Sequence, residues 1–232
     1  MSRTQPIIAI DGPVGAGKSV AARELARALG FSYLNTGAMY RAVAIAAREA
    51  GVSPDDANVE ARLAPVLAAI EIKFDGENIM LNGRDVTAKV SEPEIGELAS
   101  RFSALGAVRA RMRDLQRAGG ADGAVVMEGR DIGTAIFPDA EFKFFLDADV
   151  KTRARRRFDE LRKKGASIAE HEVLEQLIER DRRDSGRELA PLRRADDAIV
   201  IDSTKLSIEA VVAAMKTKIN ARINAAKDLK RA

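Results

Sequence analysis

Ile7-Ile8-Ala9-Ile10-Asp11-Gly12-Pro13-Val14-Gly15-Ala16-Gly17-Lys18-Ser19 is the stretch that decides the fold. Its first four residues form a continuous apolar run that stops at Gly-Pro, the pattern of a short strand buried on both faces and ending at a turn. Beyond it, Val20, Ala21, Leu25, Ala28 and Leu29 recur at helical spacing until Gly30, a residue suited to stop a helix. The eight residues between satisfy G-x-x-x-x-G-K-S, and a strand before with a helix after is the context that makes this motif a phosphate-binding loop. Glycines let the backbone curl so that successive N–H groups and the helix N-terminus face an anion, Lys18 adds a point charge, and the Ser19 hydroxyl can ligate magnesium. Gly12, Pro13, Val14, Gly15, Ala16, Gly17, Lys18, Ser19 and Val20 are therefore expected to hold ATP with Mg2+.

Working outward, Phe31 to Leu34 suits a second strand and Tyr40 to Ala50 a second helix. Ile70, Ile72 and Phe74 alternate with polar residues, and Asp75-Gly76 and Asn82-Gly83 supply hairpin turns, which predicts a small antiparallel insert over about 69–90. Helices are expected over about Glu94–Leu105 and Val108–Arg117, then buried strands at Ala124–Met127, Phe142–Leu146 and Ala198–Ile201 with helices between them. The economical architecture is α/β, a five-stranded parallel sheet flanked by helices with right-handed crossovers. The tail after Ala225 is expected to fray.

Composition bounds the function. The 232 residues, 46% hydrophobic and 31% charged, suit one globular domain with an insertion. Thirty-eight basic against 35 acidic residues leave +3, too little to argue for nucleic acid or a membrane surface, and a 4% aromatic share without Trp leaves few bases-stacking platforms. Zero Cys excludes disulfides and thiolate metal sites and fits a reducing cytoplasm. No stretch approaches the roughly 20 apolar residues of a membrane span, and Ile7–Ile10 is too short for a secretory segment. A cytoplasmic monomer is expected, with no nucleic-acid or membrane partner.

The loop alone does not separate a kinase from a switch or a motor. Arginines at predicted element ends do more: Arg41, Arg130, and the group Arg180, Arg182, Arg183 and Arg187 can fork onto phosphate oxygens, as phosphoryl transfer demands. The run Arg153, Arg155, Arg156, Arg157 begins a predicted helix and cannot point one way, so at most two of its members should reach a nucleotide. His171, the only histidine, lies in a charged stretch and suits a solvated surface position. A guanine-type N-K-x-D signature is absent, which weakens a nucleotide-sensing switch, and a kinase for UMP or a non-nucleotide alcohol remains the alternative enzyme.

Four blocks resemble the cytidylate kinase family: Gly12 to Ser19, Asn35-Thr36-Gly37-Ala38-Met39-Tyr40-Arg41, Glu128-Gly129-Arg130-Asp131-Ile132-Gly133-Thr134, and Arg180-Asp181-Arg182-Arg183-Asp184 with Ala190-Pro191-Leu192. They stand in the family's order over nearly the whole chain. The resemblance implies a P-loop kinase core at 1–34 and 106–232 with a short helical lid at about 153–185, and a nucleoside-monophosphate domain at 35–105. It implies ATP and CMP or dCMP as substrates, with Lys18, Arg130 and Arg187 as catalytic cations. Ser100, Arg109, Asp131 and Arg187 match residues around the cytosine, Arg180 and Asp184 those around the ribose, and Thr36, Arg41 and Arg130 those on the acceptor-phosphate side. Asn35 stands where the family usually has aspartate, and Val20 where a small hydroxyl residue often follows the loop serine.

Overall fold

In the computed structural model, which describes Arg3 and residues 5–229, strand β1 (Ile7–Asp11) is buried along its whole length. It can be, because it is the central strand. Strand β6 (Val125–Gly129) runs parallel on one side of it, with Ile10 opposite Glu128, and strand β7 (Phe142–Asp147) runs parallel on the other, with Ile10 opposite Phe144. Adding β2 (Ser32–Asn35) and β8 (Ile199–Asp202) at the edges gives a parallel five-stranded sheet in the order β2-β6-β1-β7-β8. The sequence expectation of that sheet holds, with strand ends shifted by one or two residues.

Helices α1 (Lys18–Leu29) and α8 (Ile208–Leu229) pack together over the sheet, and Leu25, Val211, Met215 and Ile219 bury against Ile8, Ile10, Phe144 and Leu146. The last helix runs past Ala225 to Leu229, and residues 230–232 of the tail expected to fray lie outside the described residues. Helices α6 (Val150–Lys163) and α7 (Glu170–Gly186) form a hairpin with its own small core of Ala154, Leu161, Val173 and Leu177. These elements belong to a first compact unit made of residues 1–33, 122–186 and 190–232.

The second unit comprises residues 34–121 and 187–189. Within it, α2 (Thr36–Glu49) packs on α4 (Pro93–Phe102), and α3 (Val59–Ala69) packs on α5 (Gly106–Gly119). An antiparallel sheet of β3 (Ile72–Asp75), β4 (Asn78–Leu81) and β5 (Arg84–Asp85) forms the insert. Leu81 pairs with Arg84 across Asn82-Gly83, both at positive φ (50° and 76°), the type I′ geometry that an Asn-Gly pair favours. Where the sequence reading drew a boundary at residue 105, the compact unit runs on to Ala121, because α5 packs on α2 and α3. Helix α3 leaves little trace in the sequence. Pro65 inside it removes a ladder donor, and only Leu63 and Leu67 are buried.

Candidate active site

The phosphate loop starts where β1 ends, and its first residue has no alternative. Gly12 takes φ of +148°, and a Cβ there would fall 2.0 Å from the Leu146 carbonyl oxygen of β7. Any side chain would push the loop off the sheet. Side chains from elsewhere then bind the loop's carbonyls. Lys18 Nζ donates to Pro13 O at 2.7 Å, an Arg153 Nη1 to Val14 O at 3.2 Å, and Ser203 Oγ to Ala16 O at 3.0 Å. Carbonyls turned towards these donors suit a loop whose amides must face an anion.

Beneath the loop lies a tight set of opposed charges. Lys18 is buried, and burial, with the positive field of Arg130 added and that of Arg180 behind it, lowers its ammonium pKa to about 7 against the pull of Glu128 and Asp11. Asp11 is buried too, and burial raises its carboxyl to about 7, although its oxygens accept from the N–H of Ile132 (2.8 Å) and Gly133 (2.7 Å). Ser19 Oγ donates to Glu128 Oε1 at 2.8 Å, a meeting made possible by the register that sets β6 beside β1.

Arg130 follows β6 directly. Its Nε donates to Asp184 Oδ2 at 2.9 Å, from α7. Burial opposes the guanidinium's charge, but Asp184, Glu128 and Asp181 more than offset this and hold its pKa above the ordinary value. Asp131 is buried beside it, and Arg180 lies on α7 one turn before Asp184. In the first unit, then, the structure gathers Lys18, Ser19, Arg130, Asp131, Arg180 and Asp184.

The arginine run in α6 points in several directions, as expected. Arg153 Nη1 also pairs with Asp181 Oδ2 at 2.7 Å, Arg156 reaches Ser203 Oγ (3.1 Å) and O (2.7 Å), Arg155 pairs with Glu170, and Arg157 with Glu160. Val14 of the loop packs against the apolar core of the α6–α7 hairpin. The hairpin and the phosphate loop are thus joined through Val14 twice, by its carbonyl and by its side chain.

The second unit holds a different group. Thr36, buried, opens α2, and Asn35 caps that helix by accepting from Ala38 N at 3.0 Å. An aspartate here could accept the same bond, so the Asn35 departure keeps the cap. Arg41 lies over Gly96 of α4, where a Cβ would come to 3.6 Å from its Nη2. Ser100, on α4, has a buried Oγ with no hydrogen-bond partner among the described residues. Arg109 of α5, 9% exposed, donates to Ser103 O at 3.3 Å and stacks over the Tyr40 ring at 6.0 Å. Arg187 belongs to this unit, although Asp184, three residues earlier, belongs to the first.

The family model for cytidylate kinase matches residues 8–221, from the first buried strand into the last helix. The chain belongs to the cytidylate kinase family. It resembles the cytidylate kinase of Citrifermentans bemidjiense (48% identical, covering 94% of each chain) and that of Geobacter sulfurreducens (49%, covering 93% of each). The cytidylate kinase of Thermotoga sp. strain RQ2 is 44% identical over 94% of this chain and 98% of its own. Among solved structures, an uncharacterized protein from Eubacterium ventriosum shares the fold with a TM-score of 0.52 and 15% identity, over 93% of this chain and 99% of that one.

As a member of the cytidylate kinase family the chain is an enzyme, a P-loop kinase. Two acids of its site were absent from the sequence expectations. Glu128 opens the Glu-Gly-Arg-Asp block yet its contact with Ser19 depends on strand register, and Asp11 reads as the polar end of an apolar run. The signal that could have found both is position, since each is an acid at the C-terminal end of a buried parallel strand, where ligands of such sheets collect. Val20 is 41% exposed and His171 is exposed on α7. Among the described residues no helix is long and apolar enough to cross a membrane, and no three acidic or histidine side chains converge as a metal cage.

Proposed function

We propose that this kinase transfers the γ-phosphoryl group of ATP to CMP and dCMP, as a monomer in the cytoplasm, with the donor in the loop from Gly12 to Val20. A phosphate oxygen of the acceptor attacks the γ-phosphorus as the bond to the β,γ-bridging oxygen breaks, leaving ADP and CDP. The acceptor oxygen is already anionic near neutral pH, so positioning and charge neutralisation carry the reaction and no general base is required. Lys18 serves the donor phosphates. Ser19 and Glu128 fit Mg2+, because a hydroxyl and a carboxylate 2.8 Å apart offer hard oxygen ligands and this ion is usually held by one or two protein groups plus substrate phosphates and water. When bound, it neutralises charge on the donor phosphates.

To the acceptor phosphate we assign Thr36, Arg41 and Arg130. Arg180 and Asp184 take the ribose. Asp131 accepts from the cytosine amine, Ser100 shares that task, and Arg109 and Arg187 donate to the base's carbonyl oxygen and ring nitrogen. Arg187 and Arg130 also neutralise the transferring group. One observation carries the reading: Glu128 holds the Ser19 hydroxyl of the phosphate loop at 2.8 Å, and Arg130, two residues on, pairs with Asp184 at 2.9 Å, so the donor loop and residues matched to the acceptor meet at one strand end. Coupled ADP release across CMP, dCMP, UMP, AMP and no acceptor tests it, with size-exclusion for the monomer. Release with CMP and dCMP far above the rest is expected; equal release with UMP or without acceptor overturns it.

A further inference from the structure

Asp11 ends β1 and directly precedes the phosphate loop, yet its carboxylate serves a segment more than 100 residues away. Oδ1 accepts from the N–H of Ile132 and Oδ2 from that of Gly133. These two amides open a π-helical turn, Ile132–Ile136, and the first donors of any helical turn lack partners inside it. The amides of Ala135 and Ile136, at the end of the turn, return to the Asp131 carbonyl. Asp131 is thereby held from both sides. Its own carbonyl anchors the turn, and the two N–H groups after it are seized by Asp11.

An acid at this position carries a cost. Asp11 is 5% exposed and Asp131 is 4% exposed, and the charge of Asp131 is among the influences that oppose ionisation of Asp11. Burying a second carboxylate near the first is costly, and a neutral side chain would avoid it. What a carboxylate alone offers is two acceptor oxygens on one rigid plane, so that two adjacent N–H groups can be fixed at once. A Cβ at Gly133 would meet Asp11 Oδ2 at an ordinary contact distance of 3.4 Å but would crowd Lys143 Cδ at 3.1 Å, so the glycine makes room for Lys143.

We propose that Asp11 is a positioning residue that sets Asp131 relative to the phosphate loop, and so governs which base is accepted. This rests on the reading of Asp131 as acceptor of the cytosine amine. In Asp11→Asn one oxygen becomes an NH2 that faces an N–H donor, so the turn must shift. The kcat/KM for CMP is expected to fall about 100-fold, the scale of a misplacement near 1 Å. UMP should lose much less, so that the CMP to UMP ratio narrows. Asp131→Asn is measured in parallel and should narrow the same ratio, and the double variant should narrow it no further.

If Asp131→Asn narrows the ratio but Asp11→Asn lowers CMP and UMP by one factor, Asp11 serves only the fold and the positioning role is overturned while the cytosine reading stands. If Asp131→Asn leaves the ratio unchanged, the cytosine reading fails and the inference falls with it. Should Asp11→Asn not fold, replacing Ile132 by its α-hydroxy acid removes one donor and leaves Asp11 intact. The same narrowing is expected there, and an unchanged ratio overturns the role.

Discussion

Arg130 Nε lies 2.9 Å from Asp184 Oδ2, so a residue matched to the acceptor phosphate and one matched to the ribose hold each other across 54 residues of sequence. The pair is largely buried, with side chains 18% and 6% exposed. Removing one member of a buried ion pair costs stability, although Glu128 and Asp181 still face Arg130 and offset part of the loss. Asp184→Ala is therefore expected to lower the urea midpoint of the nucleotide-free protein and to reduce kcat/KM with dCMP as well as CMP, since Arg130 loses its aim. The loss with CMP should be the greater if the carboxylate also meets the 2′-hydroxyl. Equal losses remove the ribose role, and full activity with dCMP removes the aiming role.

Lys18 is buried at the expense of stability. Lys18→Ala is expected to abolish transfer while the nucleotide-free protein melts at pH 7 no lower than the wild type, because an ammonium that burial pushes down to about 7 is a poor contributor to the fold. The pH dependence has a definite sign. Between about pH 7 and 10.5 the unfolded chain keeps a proton that the folded chain gives up, so this group makes stability rise with pH in that window. The melting temperature of the wild type minus that of Lys18→Ala should increase from pH 7 to 10; a flat difference contradicts the depressed ionisation.

The Ser19–Glu128 contact predicts a metal phenotype. Glu128→Gln keeps the shape and one acceptor oxygen but removes the charge, and loss of such a supporting carboxylate typically costs about 10–100-fold in metal affinity or activity. The Mg2+ concentration for half-maximal rate should rise by that factor, with activity partly restored at high Mg2+. An unchanged magnesium curve places Glu128 outside metal binding.

The orphaned hydroxyl of Ser100 makes stability and activity part company. Its Oγ is buried without a partner among the described residues, so Ser100→Ala should leave the free protein as stable or slightly more so, while kcat/KM for CMP falls. A lowered melting temperature would mean that the hydroxyl supports the fold.

Arg109 donates to Ser103 O and lies over the Tyr40 ring, and it matches a family residue beside the cytosine. Arg109→Met is expected to lower kcat/KM for CMP much more than for UMP, because uracil presents a ring N–H where cytosine presents an acceptor. An equal fall for both nucleotides assigns Arg109 to the phosphate or to packing.

Much of this molecule was legible one residue at a time. An apolar run ending in Gly-Pro, a glycine-rich loop and a 3.6-residue apolar period state strand, loop and helix locally, because hydrogen-bonding capacity, φ range and side-chain direction belong to single residues and near neighbours. Asn82-Gly83 made its turn for the same reason. The family blocks likewise named Lys18, Arg130 and Asp184 as residues of interest. Their partners were another matter. That Glu128 receives the Ser19 hydroxyl follows from β6 lying beside β1, that Asp11 holds the turn after Asp131 follows from where two distant backbone amides end, and that burial brings Lys18 and Asp11 both to about 7 follows from how deeply each is covered. Register, long-range pairing and desolvation are properties of the folded arrangement, fixed by the sum of many contacts rather than by any one residue's chemistry.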